Sequence, residues 1–249
     1  MSGHSKWSTI KHQKQATDAA RGQVFTKIAN AITLAVREGG GPNSESNFRL
    51  RLVMEKAHSA NMPKVNIDRA VERASGKGQG AQILEEVLYE GFGPDGVAIL
   101  ALGVTDNKQR TAAVVKNTFT THGGTLGGAG SVRHLFNSVG CLHIGKSGVG
   151  GDQLLELVLE SGAQDMQETS QDYVIYTAPG ELNRIKEFFR AKNLPLFSSD
   201  LTYKPTSWVE ITDMHVMERI YALCQVLEDL EDIHQIYTNA KSAVEMRGQ

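Results

Sequence analysis

Two glycine patterns have the residue types and spacing that phosphate chemistry uses. Gly140-Cys-Leu-His-Ile-Gly145-Lys146-Ser147 spells G-x-x-x-x-G-K-S. In a working phosphate loop, backbone N–H groups cradle phosphate and the lysine reaches the terminal group, which requires a coil after a strand and a helix starting near the lysine. Here Cys141 to Ile144 are themselves strand-forming. The next helical pattern starts only at Asp152, after Gly148-Val149-Gly150-Gly151. The segment therefore reads as a strand of a hairpin with its exit loop, and an NTP-binding enzyme stays a minor alternative. Gly91-x-Gly93-x-x-Gly96 likewise matches the dinucleotide fingerprint, whose third glycine opens a helix that binds pyrophosphate. Pro94-Asp95 instead marks a turn and Val97-Ala-Ile-Leu-Ala-Leu marks a strand, so these glycines serve a tight connection.

Other reactive types lack partners at useful spacing. His4 and His12 stand in a basic stretch, and neither His-Glu-x-x-His nor Cys-x-x-Cys occurs. Cys141 and Cys224, 83 positions apart, suit a reducing compartment, and Cys224 sits in an amphipathic pattern typical of buried packing. The carboxylates of Glu228, Asp229, Glu231 and Asp232 read as a solvated helix end. No pairing of acid, base and nucleophile follows from these positions. The expectation is a non-enzyme with no catalytic residues, cofactor, metal or evident small-molecule substrate.

Charge is distributed more tellingly than its total of -2 indicates. Residues 1–77 hold 13 Lys+Arg against 6 Asp+Glu, a net of +7, while the remaining 172 hold 13 against 22, a net of -9. A basic end on an acidic body is the charge pattern of a polyanion-binding protein, because phosphate contacts supply most sequence-independent nucleic-acid affinity. The candidate contacts in the first stretch are Lys6, Trp7, Lys11, His12, Lys14 and Arg21. The cations can neutralise phosphates, and the indole of Trp7 can stack on an unpaired base. Farther on, Arg49, Lys56 and Arg73 fall off the inner apolar faces and are better phosphate candidates than Arg51 or Arg69. No helix carries an evident base-reading pattern, which favours RNA or shape recognition on physical grounds.

The elements that must position these residues follow from periodicity. Val24, Ile28, Ile32 and Ala35 mark one helix, stopping at Gly39-Gly40-Gly41-Pro42. Leu50, Val53, Met54 and Ala57 mark a second, stopping at Asn61-Met62-Pro63. Ile67, Ala70, Val71 and Ala74 mark a third over 64–74. Residues 20–77 are thus expected to be a helical bundle behind a flexible basic arm at 1–19, with Gly76 to Gly80 as a linker.

Beyond the linker, strands at 84–90 and 97–104 precede a helix from Asp106 to His122. Strands at 132–136 and 141–146 form a pair, followed by a helix at 152–161 and strands at 165–168 and 173–177. A helix with Leu182, Ile185, Phe188 and Phe189 inward leads to a strand at 197–203. A strand at 208–211, a helix capped by Thr212 and a strand at 233–237 finish the pattern. The fold class expected is α+β: a helical N-terminal bundle followed by two ferredoxin-like split-βαβ units, one inserted into the other. Residues 81–130 plus 206–240 form the discontinuous outer unit, and 131–205 the insert. No apolar run is long enough to span a bilayer, and the N-terminus has no signal-peptide pattern, so cytoplasmic residence without a membrane partner is expected.

Ordered motifs also carry a resemblance. They are Gly3-His-Ser-Lys-Trp7, Arg21-Gly22 with Phe25-Thr-Lys27, Arg49-Leu-Arg51 and Ala60-Asn-Met-Pro-Lys64 with Ile67-Asp-Arg69-Ala70. Tyr89-Glu-Gly-Phe-Gly-Pro94, Thr105-Asp-Asn-Lys108 with Arg110-Thr-Ala112, and His122-Gly-Gly124 with Gly130-Ser-Val132 complete them. The chain closely resembles the YebC/PmpR family from residue 3 to about 136, and the later half resembles it in pattern. Gln13, Gln15 and Val65 are minor departures from the family's usual residues. The resemblance implies three domains, with a helical N-terminal domain and an interrupted middle one. It also implies a DNA-binding transcriptional regulator. The alternative it implies is a ribosome-associated translation factor contacting ribosomal RNA at proline runs, akin to the mitochondrial translational activators of cytochrome c oxidase.

Overall fold

The computed structural model of the chain describes residues 18–75 and 84–243. Lys6, Trp7, Lys11, His12, Lys14 and the glycines at 76, 78 and 80 lie outside the described residues. Three helices, α1 (Asp18–Glu38), α2 (Phe48–Ser59) and α3 (Lys64–Ala74), form where the apolar period demands them. Ile32, Ala35, Leu50, Ala57, Ile67 and Ala70 meet in one core, and each fully buried Ile or Leu contributes about 1.5–3 kcal/mol by leaving water. Gly40 and Gly41 end α1 with φ of 94° and 111°, a region that L side chains rarely adopt. Buried Asn47 then knots the corner. Its Oδ1 accepts from Leu50 N at 2.9 Å as the α2 N-cap, and its Nδ2 donates to Ala35 O and Gly41 O, each at 2.8 Å.

The described residues divide into two compact units, the continuous segment Phe136–Thr206 and the rest. In the second of these, β1 (Glu85–Phe92) and β2 (Ala98–Thr105) form an antiparallel hairpin around a short 3₁₀ turn at Pro94–Gly96. The helix α4 (Lys108–Thr121) and the short β3 (Thr125–Leu126) follow. After the insertion come β8 (Val209–Ile211), α7 (Met214–Asp229), β9 (Ile233–Thr238) and β10 (Ala240–Ser242). The sheet order is β3-β1-β2-β9, so a strand from beyond the insertion completes a sheet begun before it. Glycines let α4 and α7 approach closely: a Cβ at Gly91 would lie 2.6 Å from the Phe119 ring of α4, and one at Gly124 would lie 3.1 Å from Leu223 Cδ2 of α7.

The inserted unit runs β4 (Phe136–Gly145), α5 (Gly151–Ser161), β5 (Asp165–Glu168), β6 (Asp172–Thr177), α6 (Leu182–Ala191) and β7 (Leu196–Pro205). Its sheet order is β5-β6-β4-β7, all antiparallel, which is the split-βαβ arrangement. The fold is therefore the α+β class expected, with one unit nested in the other.

Several local expectations are corrected. The strand pair placed at 132–136 and 141–146 is one continuous strand preceded by a 3₁₀ turn at Arg133–Leu135. Gly140 is not a turn residue. It sits mid-strand because a Cβ there would lie 2.3 Å from Thr177 Oγ1 and 2.9 Å from Leu182 Cβ. The fourth strand of the outer sheet is the two-residue β3 from the glycine-rich stretch, while β8 pairs in parallel with β10 in a separate ribbon. The α4 cap is Asn107 rather than Asp106, and the α7 cap is Asp213 rather than Thr212. In each pair the extended residue nearest the helix supplies the accepting oxygen.

Candidate nucleic-acid interface

Excess positive charge in the first third concentrates at its edges. Residues 18–75 hold 9 Lys+Arg against 6 Asp+Glu, so +3 of the +7 belongs to the bundle itself. The helices then sort these cations by environment. Arg49 and Lys56, seven residues apart, share a face of α2, and that face is directed at the outer sheet. The Arg49 guanidinium bridges Glu38 at 2.6 Å and Glu86 of β1 at 2.5 Å. Lys56 is exposed, yet its ammonium lies close enough to His234 of β9 to act on it. Burial pushes His234 down to about 4, and Lys27 and Lys56 push it the same way. Lys27 Nζ also donates to Glu228 O at 2.5 Å. Arg51 is committed to the loop before α2, donating to Ser44 O at 3.0 Å and Glu45 O at 2.6 Å.

The remaining cations face outward. Arg21 is exposed on α1. On α3, Val65, Arg69 and Arg73 recur at i, i+4 and i+8, opposite the buried Ile67, Ala70 and Ala74, and all three are exposed together with Lys64. The sequence pattern favours Arg73 over Arg69 as lying off the inner apolar face, yet both are exposed. The four-residue spacing is the signal that joins them. Among the site residues expected from sequence, the structure thus places Arg21 and Arg73 on open helical surface, Lys56 at the border with the sheet, and Arg49 between two carboxylates.

Many motif residues in the acidic body hold the fold. Glu90 is buried, its Oε1 accepting from Gly130 N at 2.6 Å and its Oε2 from Val132 N at 2.8 Å and Arg133 N at 2.7 Å. Burial pushes this carboxyl up, but the three N–H donors and the Arg133 charge outweigh it and hold Glu90 below its ordinary value. Asp232, expected at a solvated helix end, instead accepts from Thr111 Oγ1 at 2.5 Å, Arg110 at 3.1 Å and Thr105 Oγ1 at 3.2 Å. It thereby joins β2, α4 and the start of β9.

The two phosphate-type patterns have strand and turn geometry. Residues 140–145 lie in central β4, and Gly145 N donates to Pro195 O at 2.8 Å, so these amides do not form a coil round a ligand. Lys146 pairs with Glu168 at 2.6 Å. At 91–96, Gly93 N donates to Val97 O at 2.8 Å across a tight turn with Asp95 at φ 57°. Cys224 is buried in α7, and burial with the Glu228 charge pushes its thiol up to about 12. Among the described residues, no group of three or more His, Cys, Asp or Glu is placed to hold a metal, and no helix is long and apolar enough to cross a membrane.

A basic helical bundle joined to nested α+β units defines a class, and comparison places the chain within it. The TACO1/YebC protein N-terminal domain matches residues 5–77, and the TACO1/YebC second and third domain matches residues 84–240. The chain belongs to the TACO1/YebC family. A probable transcriptional regulatory protein of Aquifex aeolicus is 42% identical over 239 residues, covering 96% of this chain and 95% of its own. One from Thermomicrobium roseum is 41% identical over 247 residues, covering 99% of each. The crystal structure of a conserved hypothetical protein from Aquifex aeolicus superposes with a TM-score of 0.84 at 41% identity, covering 94% of this chain and 95% of that one. The family is one of regulators by the names its members carry.

Proposed function

We propose that this protein is a non-enzymatic, cytoplasmic, DNA-binding regulator of transcription. The observation that carries this reading is the charge division, +7 over residues 1–77 against -9 over the rest. Such a division directs one end of the molecule to a polyanion and keeps the other off it. In this reading Lys6, Lys11, His12, Lys14 and Arg21 neutralise phosphates, together with Lys64, Arg69 and Arg73 on the outer side of α3 and Lys56 at its border. Trp7 stacks on a base. Arg49 adds its field while positioning α2 against β1. The names of the relatives support transcription as the process.

Fluorescence anisotropy with the full chain tests this reading. Labelled duplex promoter DNA and a ribosomal RNA fragment of equal length are titrated across a salt series. Salt-dependent binding to the duplex, at least as tight as to the RNA, is the expected result. Binding confined to the RNA overturns the transcriptional reading in favour of a ribosome-associated translation factor.

A further inference from the structure

Cys141 and His143 alternate along β4 and project from one face of the inserted sheet, with Val139, Val174 and Tyr176 beside them. Cys141 Sγ lies 3.5 Å from His143 Nε2, and His143 Nδ1 lies 2.7 Å from Asp172 Oδ2 at the start of β6. Asp172 is itself fixed, its Oδ1 accepting from Thr169 Oγ1 at 2.5 Å. Sulfur, imidazole and carboxylate thus stand in line, with the sulfur on one side of the ring and the carboxylate on the other. That is the order of nucleophile, partner base and orienting acid used wherever a side chain is activated for attack. Three ligands converging on a metal would have a different geometry.

The groups around the ring favour its charged form. Burial pushes His143 down, but its hydrogen bonds to Asp172 and to the Cys141 sulfur, with the charges of both, hold it well above its ordinary value. Protonated on both nitrogens, the ring donates one hydrogen bond to the carboxylate and one to sulfur. Asp200 stands opposite Cys141 on β7. Lys204 places its ammonium 4.1 Å from the Tyr176 ring centre but pairs it with Asp165 at 2.5 Å, so it is not available to offset Asp200. A cysteine paired with a cationic imidazole is the environment of reactive thiols, and a buried thiol with no such partner is inert. Access decides the reagent. Cys141 is 7% exposed while the His143 side chain is 34% exposed, which leaves a narrow window suited to a small molecule.

We propose that Cys141, His143 and Asp172 form a reactive-thiol site for small two-electron oxidants of the hydroperoxide class, with Cys141 as nucleophile and His143 as proton donor. The sulfur electron pair of the thiolate attacks one peroxide oxygen. An S–O bond forms as the O–O bond breaks. The departing hydroxide takes the Nε2 proton of His143 and leaves as water, and the ring regains a proton from solvent. Sulfur is oxidised to a sulfenic acid, the first and reversible step of cysteine oxidation, and one peroxide is reduced to water. Asp172 is a positioning residue that holds the ring by Nδ1.

The test uses the native full chain with hydrogen peroxide, trapping sulfenic acid with dimedone and reading each cysteine by mass spectrometry. Cys224 serves as the internal reference. Cys141 is expected to react at least about tenfold faster than Cys224 and than the cysteine of an unstructured peptide spanning 138–146. His143→Gln is expected to remove that advantage, and Asp172→Asn to reduce it, in proteins that keep a cooperative melt. The peptide comparison stands without any variant. A native rate no higher than the peptide's overturns the proposal, as does a rate that folded His143→Gln leaves unchanged.

Discussion

Glu90 on β1 accepts a hydrogen bond from the backbone N–H of Val132, 42 residues later, at 2.8 Å. With Gly130 and Arg133 donating to the same carboxylate, this contact clamps the chain just before it enters the inserted unit at Phe136. A nest of backbone N–H groups is an anion site, and here the protein's own carboxylate fills it. One side chain therefore links the hairpin of the outer sheet to the segment from which the insertion departs.

Glu90→Gln is expected to destabilise the protein by about 2–3 kcal/mol, because hydrogen bonds to a charged group each contribute about 1.5–3 kcal/mol and the amide cannot accept at both positions. The pH dependence has a definite sign. A carboxyl held below its ordinary 4.5 in the folded state contributes stability above that value. The contribution is lost as pH falls through the lower folded value. Urea melts at successive pH values should show a shallower acid limb for Glu90→Gln than for the wild type. Parallel limbs sink this account.

The corner between α1 and α2 offers a second measurement. Asn47→Ala removes the side-chain bonds to Gly41 O and Leu50 N and one of the two that Ala35 O accepts, the other coming from Gly39 N, a loss of about 2–4 kcal/mol for a buried multiple acceptor and donor. Gly39→Ala attacks the same corner from the other side, since its Cβ would lie 2.2 Å from Asn47 Oδ1 and 2.6 Å from Ala35 O. Thermal melts should fall for both, and the double variant should lose less than the two single losses added together. Full additivity would show that the two residues do not share one contact.

How far the sequence discloses this molecule depends on the length of each signal. Helix α3 was legible over 64–74 because a proline precedes it and four apolar residues recur on one face. The strand read at 208–211 is present as β8, whereas β3 and β10, of two and three residues, carry no period; the pairing of all three comes from tertiary packing. Gly140 misled because a glycine that admits α6 to the sheet looks, in sequence, like one that makes a turn. Charge was legible as a total over residues 1–77, but its use was not. Arg73 already reads as off the inner face, but only the fold shows that Arg49 is held by Glu38 and Glu86 and that Arg69 is exposed as well. Cys141 and His143 alternate along one strand, but Asp172 comes from another, and that step leaves no linear spacing to read.

Lys146→Ala decides whether the G-x-x-x-x-G-K-S match means anything. Its ammonium pairs with Glu168 on a partly exposed surface, so the substitution should change stability by no more than about 1 kcal/mol. Calorimetric titration of the wild type with Mg-ATP should give no saturable heat. Micromolar binding abolished by the substitution would restore the enzyme reading.

The polyanion surface is tested by the slope of log affinity against log salt, to which each neutralised phosphate contributes about -0.9 on duplex DNA. Lys6, Lys11, Lys14 and Arg21 changed together to alanine should flatten the slope by up to about 3.6 units. Lys64, Arg69 and Arg73 changed together should flatten it by up to about 2.7. Trp7→Ala should lower affinity with little change of slope, because stacking releases no condensed counterions. The control belongs on the inserted unit, where Arg184, Arg190 and Lys192 hold surface ion pairs. Lys186 on the same helix is 1% exposed and must be left intact, since its removal would disturb the core rather than a surface charge. If the control flattens the slope more than either basic set, the contact surface lies on the acidic body and the division of charge has another purpose.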